Sequence, residues 1–287
     1  MKKIGFIGTG VMGSSIVKHL LASNYEVAVY NRTKQKADEL VGLGAIWQDS
    51  PQQIVEVSDI IFTMVGYPHD VEETYYGESG IFQAEVTDKI LIDMTTSTPV
   101  LAQKIAKTAT DRGAISFDSP VSGGDLGAKN GTLTTMVGGD LSSFEEIKEL
   151  LAIFSSKVNL QGPAGSGQHT KMANQIMIAG TMTGMTELLV YAKSAGLDLE
   201  KVLDTVGGGS AANWSLANYA PRILKEDYTP GFFVKHFVKD LNIALSEAER
   251  MNIALPATEK AKELYEELVK NGFENEGTQA LIKLWWS

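Results

Sequence analysis

Lys171 and Asn174 stand three residues apart in the segment Gly165-Ser166-Gly167-Gln168-His169-Thr170-Lys171-Met172-Ala173-Asn174-Gln175. At about 100° per residue, that spacing puts both side chains on one helix face. An amine and an amide therefore project together from the first turns of a long apolar helix. An ammonium in such a place is expensive unless it has a partner or a task. Proton transfer to a carbonyl oxygen is a task that suits it. Alone, the pair is more often a lysine snorkelling from a helix start, so the rest of the chain decides.

The N-terminal run Gly8-Thr9-Gly10-Val11-Met12-Gly13 satisfies G-x-G-x-x-G directly after a strand and at the opening of an apolar helix. The first glycine allows a tight turn, the second lets backbone approach a pyrophosphate, and the third lets the helix pack close to the sheet. The helix N-terminus then offers N–H groups to the anion. At the end of the second strand an acidic residue would accept the ribose hydroxyls of NAD. The chain instead has Asn31-Arg32-Thr33 followed by Lys34. A guanidinium, a hydroxyl and an amide suit a 2′-phosphate, which favours NADP, with NAD possible. The alternative is that Arg32 is only a solvated loop charge.

Two further loops follow strands. Asp93-Met94-Thr95-Thr96-Ser97-Thr98-Pro99 ends a strand in hydroxyls and opens a helix with Pro in its first turn. Asp118-Ser119-Pro120-Val121-Ser122-Gly123-Gly124 exposes successive glycine N–H groups beside a serine, a nest that suits a carboxylate or serves simply as a flexible turn. Lys239-Asp240 lies within a late helix, where such a pair is usually a solvated face.

These residues must be held by two kinds of structure. Up to about Gly162, short β-branched runs (Lys3–Ile7, Glu26–Tyr30, Ile60–Met64, Lys89–Asp93, Ile115–Asp118, Leu133–Val137, Lys157–Leu160) alternate with helical patterns. That alternation implies βαβ units and a largely parallel, doubly wound α/β sheet with helices on both faces. Beyond Gly162-Pro163, long helical periods take over: Gln168–Ala195, Leu199–Val206, Phe233–Met251, Ala257–Lys270 and Gln279–Trp285. The apolar stretch Met172–Ala192 contains Gly180-x-x-x-Gly184 but also Asn174, Gln175 and Glu187, so it reads as a buried helix with close backbone contacts rather than a membrane span.

A chain of 287 residues has room for two domains. Its net charge of −10, with no basic cluster longer than Lys2-Lys3, argues against a nucleic-acid or membrane surface. With no cysteine there is no thiolate nucleophile or disulfide, and the four scattered histidines lack metal-ligand spacing. The expected address is the cytoplasm. Trp285-Trp286 is a large apolar surface that either packs on the helical domain or meets a second subunit.

Together these segments resemble the β-hydroxyacid dehydrogenase family, which includes 3-hydroxyisobutyrate dehydrogenase, tartronate semialdehyde reductase and glyoxylate/succinic semialdehyde reductase. The resemblance spans the chain through Gly5–Gly13, Asp118–Gly124, Gly131-Thr132-Leu133 before Met136-Val137-Gly138-Gly139, Gly165–Asn174, and Lys239-Asp240-Leu241. It implies a Rossmann domain over 1–163, joined by a long interdomain helix to an all-helical substrate and dimerisation domain over 164–287, with the site in the cleft. By the same resemblance Lys171 is the catalytic general acid/base and Asn174 positions a small carboxylate substrate held by Ser122, Gly123 and Gly124. Gly8, Gly10, Val11, Met12, Gly13, Asn31, Arg32 and Thr33 bind NADP, Thr96 lies by the nicotinamide side, and Lys239 contacts the cofactor. Relatives imply a homodimer or homotetramer. The chain departs from the pattern at Gln175, where many members carry a second Asn, and at position 31, where NAD users carry Asp nearby. Asp125-Leu126-Gly127 matches no substrate subgroup. Imine reductases, 6-phosphogluconate dehydrogenase and a non-catalytic NADP-binding module are the competing readings. Lysine 171, the short helical domain and the coexistence of Lys171, Asn174 and Ser122 count against them in turn.

Overall fold

Apolar runs with almost no polar face, such as Ile4–Ile7 and Ile60–Thr63, are satisfied only in a sheet covered on both sides. A computed structural model, describing residues 2–286, contains that sheet. In chain order the elements are β1 (Ile4–Ile7), α1 (Val11–Ala22), β2 (Val27–Tyr30), α2 (Asp38–Gly42), β3 (Ile46–Trp47), α3 (Pro51–Val57), β4 (Ile60–Thr63), α4 (Pro68–Tyr76) and β5 (Ile90–Asp93). Then follow α5 (Pro99–Asp111), β6 (Ile115–Asp118), β7 (Val121–Ser122), α6 (Gly124–Asn130), β8 (Leu133–Gly138), α7 (Leu141–Leu151), β9 (Ser155–Gly162) and the long α8 (Ser166–Ser194).

Strand order is β3-β2-β1-β4-β5-β6-β8-β7, with β9 on β8. The first six are all parallel, the doubly wound Rossmann arrangement. β8 runs antiparallel to β6 and β7 and parallel to β9. Residue alternation divides the core into two layers. Ile4, Phe6, Ile60, Phe62, Ile90 and Ile92 pack with Ile16, Val17 and Leu20 of α1 and Ile147 and Leu151 of α7. Ile7, Ile61 and Leu91 point the other way, onto Ile54 of α3, Val71 and Tyr75 of α4, and Leu101 and Ile105 of α5. Each such side chain contributes about 1.5–3 kcal/mol by leaving water.

The chain divides into two compact units, Met1–Lys171 and Met172–Ser287. The division falls inside α8, later than the expected boundary at 163, because bonds described below tie the first turns of α8 to strand ends. The second unit contains the rest of α8 with α9 (Leu199–Gly207), α10 (Trp214–Leu224), α11 (Val234–Arg250), α12 (Pro256–Lys270) and a 3-10 segment, Thr278–Leu284. Its core joins Met182, Met185 and Leu189 of α8 to Leu216 and Ile223 of α10, Phe237 and Leu241 of α11, and Tyr265 and Leu268 of α12.

Several expectations change. Strands β3 and β7 are two residues each, too short for any alternation to register. Helix α10, absent from the expected helical periods, carries Pro221 in its interior. The last expected helix is 3-10 rather than α. Gly180 and Gly184 make no close backbone contact: a Cβ at either would meet nothing within 4 Å. Only one side of that stretch of α8 is core; the other, with Met177, is exposed. Trp286 packs on the helical core beneath the Lys193 ammonium, while Trp285 stays partly exposed. Among the described residues no helix is long and apolar enough to cross a membrane.

Candidate functional site

The carboxyl ends of three strands of the parallel part of the sheet, β1, β5 and β6, carry loops singled out in the sequence; β4 lies between β1 and β5. At the first, Gly8 has φ +101°, and a Cβ there would lie 2.1 Å from the Met64 carbonyl oxygen. A Cβ on Gly13 would lie 2.1 Å from the Gly8 carbonyl oxygen, so this turn and α1 close on each other only as glycines. Gly10 differs: a Cβ would meet nothing within 4 Å. Its bareness is not needed for packing, and it leaves open space beside a helix N-terminus whose N-cap has no side chain. That combination fits a pyrophosphate.

Asn31 and Thr33 hold this loop. The Asn31 carboxamide accepts from the Thr9 N–H at 3.1 Å and donates to the Thr33 carbonyl at 2.8 Å, stapling the end of β2 to the glycine turn. Arg32 is 87 % exposed and donates to Asp70 at 3.1 Å. An exposed pair of this kind is worth at most about 1 kcal/mol. A phosphate with several oxygens can displace it.

The second loop is built around β5. The Asp93 carboxylate accepts from the Thr95 N–H at 3.0 Å, and the Thr95 hydroxyl accepts from the Val65 N–H at 3.0 Å. Thr96 is half-buried between buried Thr95 and Ser97. The Thr98 hydroxyl accepts from the Leu101 N–H and caps α5.

The third loop meets α8. Asp118, at the end of β6, accepts from the Gly165 N–H at 2.7 Å and the Gln168 N–H at 2.8 Å. A carboxylate from a distant strand thus caps the long helix, where the helix dipole favours negative charge. Burial nonetheless pushes its carboxyl up to about 6, against the pull of the N–H donors of Gly165, Gln168 and Gly167. A carboxyl raised above its unfolded value stabilises the fold below about pH 4, and that contribution is lost as pH rises through about 6. Unfolding free energy should therefore fall by about 2 kcal/mol through this group between pH 4 and pH 7. Urea unfolding of the wild type and Asp118→Asn across that range checks it: the variant should lack this component.

Lys171 lies one turn into α8, only 7 % exposed. Its ammonium donates to the Val121 carbonyl at 2.9 Å, one residue ahead of Ser122. Gly123 and Gly124 have φ +128° and +63° and turn β7 directly into α6, so Gly124 opens a helix rather than lying in a loose loop. Asn174, one turn beyond Lys171 on α8, donates its amide to the Gln175 side-chain oxygen at 2.8 Å. Gln175 in turn donates to Asp240 at 2.6 Å, and Asp240 pairs with Lys239 at 3.1 Å. Gln175 and Asp240 are buried, so Lys239-Asp240 is no solvated face but one end of an internal polar chain.

Sequence reasoning gave no role to Gln168, Asp118 or Gln175. Each is a polar residue inside an apolar or glycine-rich run, which is the signal that was available. A concavity of about 640 Å³ in the helical unit is lined by Ile176, Met177, Gly180, Gly184, Met185 and Leu188 among others. No titratable side chain lines it, so it offers no acid–base chemistry.

Comparison with known proteins agrees with this geometry. Residues 3–162 match the model for the NAD binding domain of 6-phosphogluconate dehydrogenase. Residues 165–285 match that for the NAD-binding region of NADP-dependent 3-hydroxyisobutyrate dehydrogenase. An uncharacterized oxidoreductase of Bacillus subtilis is 50% identical, with 99% of each chain covered. The 2-hydroxy-3-oxopropionate reductase of Escherichia coli is 36% identical over 98% of this chain and 96% of its own. Among solved structures, 3-hydroxyisobutyrate dehydrogenase of Mycobacterium tuberculosis with L-serine superposes with a TM-score of 0.91 at 25% identity, covering 100% of both chains. A glycine turn that fits a dinucleotide, a buried lysine at the head of a long helix and matches spanning both halves converge: the chain belongs to the β-hydroxyacid dehydrogenase family, as an NAD(P)-binding dehydrogenase of the 3-hydroxyisobutyrate dehydrogenase type.

Proposed function

We propose that this dehydrogenase uses NADP(H) and interconverts a small 3-hydroxy acid and its semialdehyde, with Lys171 as general acid and base. The observation that carries this reading is the placement of Lys171. A nearly buried ammonium donates to a backbone carbonyl beside Ser122-Gly123-Gly124 instead of reaching for solvent.

When bound, the nicotinamide supplies or accepts hydride at the carbinol carbon. As the carbonyl is reduced, Lys171 donates a proton to its oxygen and stabilises the charge that grows there. In oxidation it takes the hydroxyl proton back. N–H groups around Ser122-Gly123-Gly124 receive the substrate carboxylate. Asn174 orients the substrate oxygen: its bond to Gln175 fixes one amide hydrogen, leaving the carboxamide oxygen and the second hydrogen for substrate. Gly10 and the α1 N-terminus receive the pyrophosphate, with Val11, Met12 and Gly13 in the first turn, Thr96 by the nicotinamide and Lys239 as a further cofactor contact.

Arg32 supports the choice of NADP, since its guanidinium is exposed at the end of β2 and only loosely engaged by Asp70. Arg32→Ala is expected to raise KM for NADPH by about 10–100-fold and leave KM for NADH nearly unchanged. Equal losses with the two cofactors would remove the 2′-phosphate contact. A panel of 3-hydroxyisobutyrate, serine, tartronate semialdehyde, succinic semialdehyde and glyoxylate, followed at the nicotinamide absorbance with each cofactor, tests the whole reading. Turnover of at least one, faster with NADP(H), is expected. Tight NADPH binding with no turnover of any would favour a non-catalytic module.

A further inference from the structure

Gln168 is fully buried in the first turn of α8, and its side-chain amide and backbone N–H bond to residues at or just beyond strand ends. Its side-chain nitrogen donates to the Thr95 carbonyl at 2.7 Å, and its side-chain oxygen accepts from the Ser97 N–H at 2.9 Å. Its backbone N–H donates to Asp118. One carboxamide therefore bridges the two peptide groups that flank Thr96. In an extended segment, the carbonyl of residue i−1 and the N–H of residue i+1 lie on the same edge, and a parallel neighbour's residue would normally satisfy both. Beyond the end of β5 the Gln168 side chain takes the place of that neighbour. Its orientation is fixed by its partners, because an N–H and a carbonyl cannot exchange roles.

We propose that Gln168 is a positioning residue that splints the Thr95-Thr96-Ser97 segment, and so sets where Thr96 stands relative to Lys171. The two side chains are three residues apart on α8 and share a face, so one helical turn carries both the proton donor and the splint. Thr95 is independently tied to Asp93 and Val65, whereas the Ser97 N–H bonds to Gln168. Loss of the carboxamide should loosen the segment from the Ser97 side. This inference rests on the reading of Thr96 as nicotinamide-side and Lys171 as the acid, and its test separates failure of that reading from its own.

The first readout needs neither cofactor nor substrate. In Gln168→Met, which keeps the volume but neither bond, amide hydrogen exchange at Ser97 in the unliganded protein should quicken by about 10-fold or more while β5 keeps its protection. Unchanged exchange at Ser97 would overturn the splint whether or not the enzyme turns over. The second readout is catalytic. Gln168→Glu keeps an acceptor for Ser97 but donates to Thr95 only when its carboxyl is protonated. Its kcat should be about 10²-fold low at alkaline pH and recover as pH falls, a limb the wild type lacks, with NADPH affinity by fluorescence changed less than about 3-fold. A variant whose kcat follows the wild-type pH profile would overturn the role in catalysis. If the wild type turns over no substrate while Ser97 exchange still responds to Gln168→Met, the functional reading fails and the splint stands.

Discussion

Lys171→Ala should lower kcat for carbonyl reduction by about 10³-fold while leaving the Kd for NADPH within about 2-fold of wild type. The split between the two constants is the informative part. Lys171 bonds to Val121 beside the proposed substrate loop, whereas the glycine turn that fits the pyrophosphate follows β1. Losing the amine removes a proton donor and a positive charge that act as the carbonyl oxygen becomes an alkoxide, so the transition state is affected more than cofactor binding. Lys171→Met separates chemistry from packing: it keeps much of the buried stem, and its kcat should fall as far as that of Lys171→Ala. Stopped-flow nicotinamide absorbance gives kcat, and quenching of protein fluorescence gives Kd.

The second large effect is structural. Gly167 lies where α8 touches the sheet, and a Cβ there would sit 2.4 Å from the Asp118 carbonyl oxygen and 2.5 Å from that of Met136. Both obstacles are backbone, on two different strands, so no rotamer change relieves them. Gly167→Ala should cost about 3 kcal/mol, which corresponds to a fall of about 6–12 °C in Tm. It should also shift the helix turn that holds Gln168 and Lys171. Gly42→Ala, at the end of α2 with nothing within 4 Å of its Cβ, is the matched control and should leave Tm level or slightly raised. Equal Tm values for the two variants would mean that α8 does not rest against β6 and β8 as closely as these distances say.

Much of the fold was legible because its signals are local. The buried strands β1, β4 and β5 are unbroken apolar runs, and α5 and α7 announce themselves by period, α5 also by the Thr98-Pro99 opening. What the sequence hid depends on distant partners. The helical start of α6 at Gly124 follows from two positive-φ residues after a two-residue strand, and nothing in the local pattern marks it. Pro221 sits inside α10 because tertiary packing of Leu216, Tyr219 and Ile223 outweighs one lost backbone bond.

At the candidate site, residue types were legible and engagements were not. Asn31 is a polar residue at a strand end in sequence, but the bonds of its carboxamide to Thr9 and Thr33 depend on how β2 meets the glycine turn. Lys239-Asp240 has the spacing of an exposed pair, and only the register of α11 against Gln175 buries it. Gln168 lies inside the quoted motif without a role, because its partners are more than seventy residues away in the chain. Spacing along one helix is readable in sequence; a bond from that helix to a strand end is not.

Single-turnover hydride transfer in Lys171→Ala, with and without small primary amines, is the most direct test of proton donation by that side chain. The truncated stem leaves room for methylamine or ethylamine. The expected result is a slow reaction that accelerates in proportion to amine concentration and depends on amine pKa as a general acid requires. Hydride transfer at the wild-type rate without any added amine would contradict it.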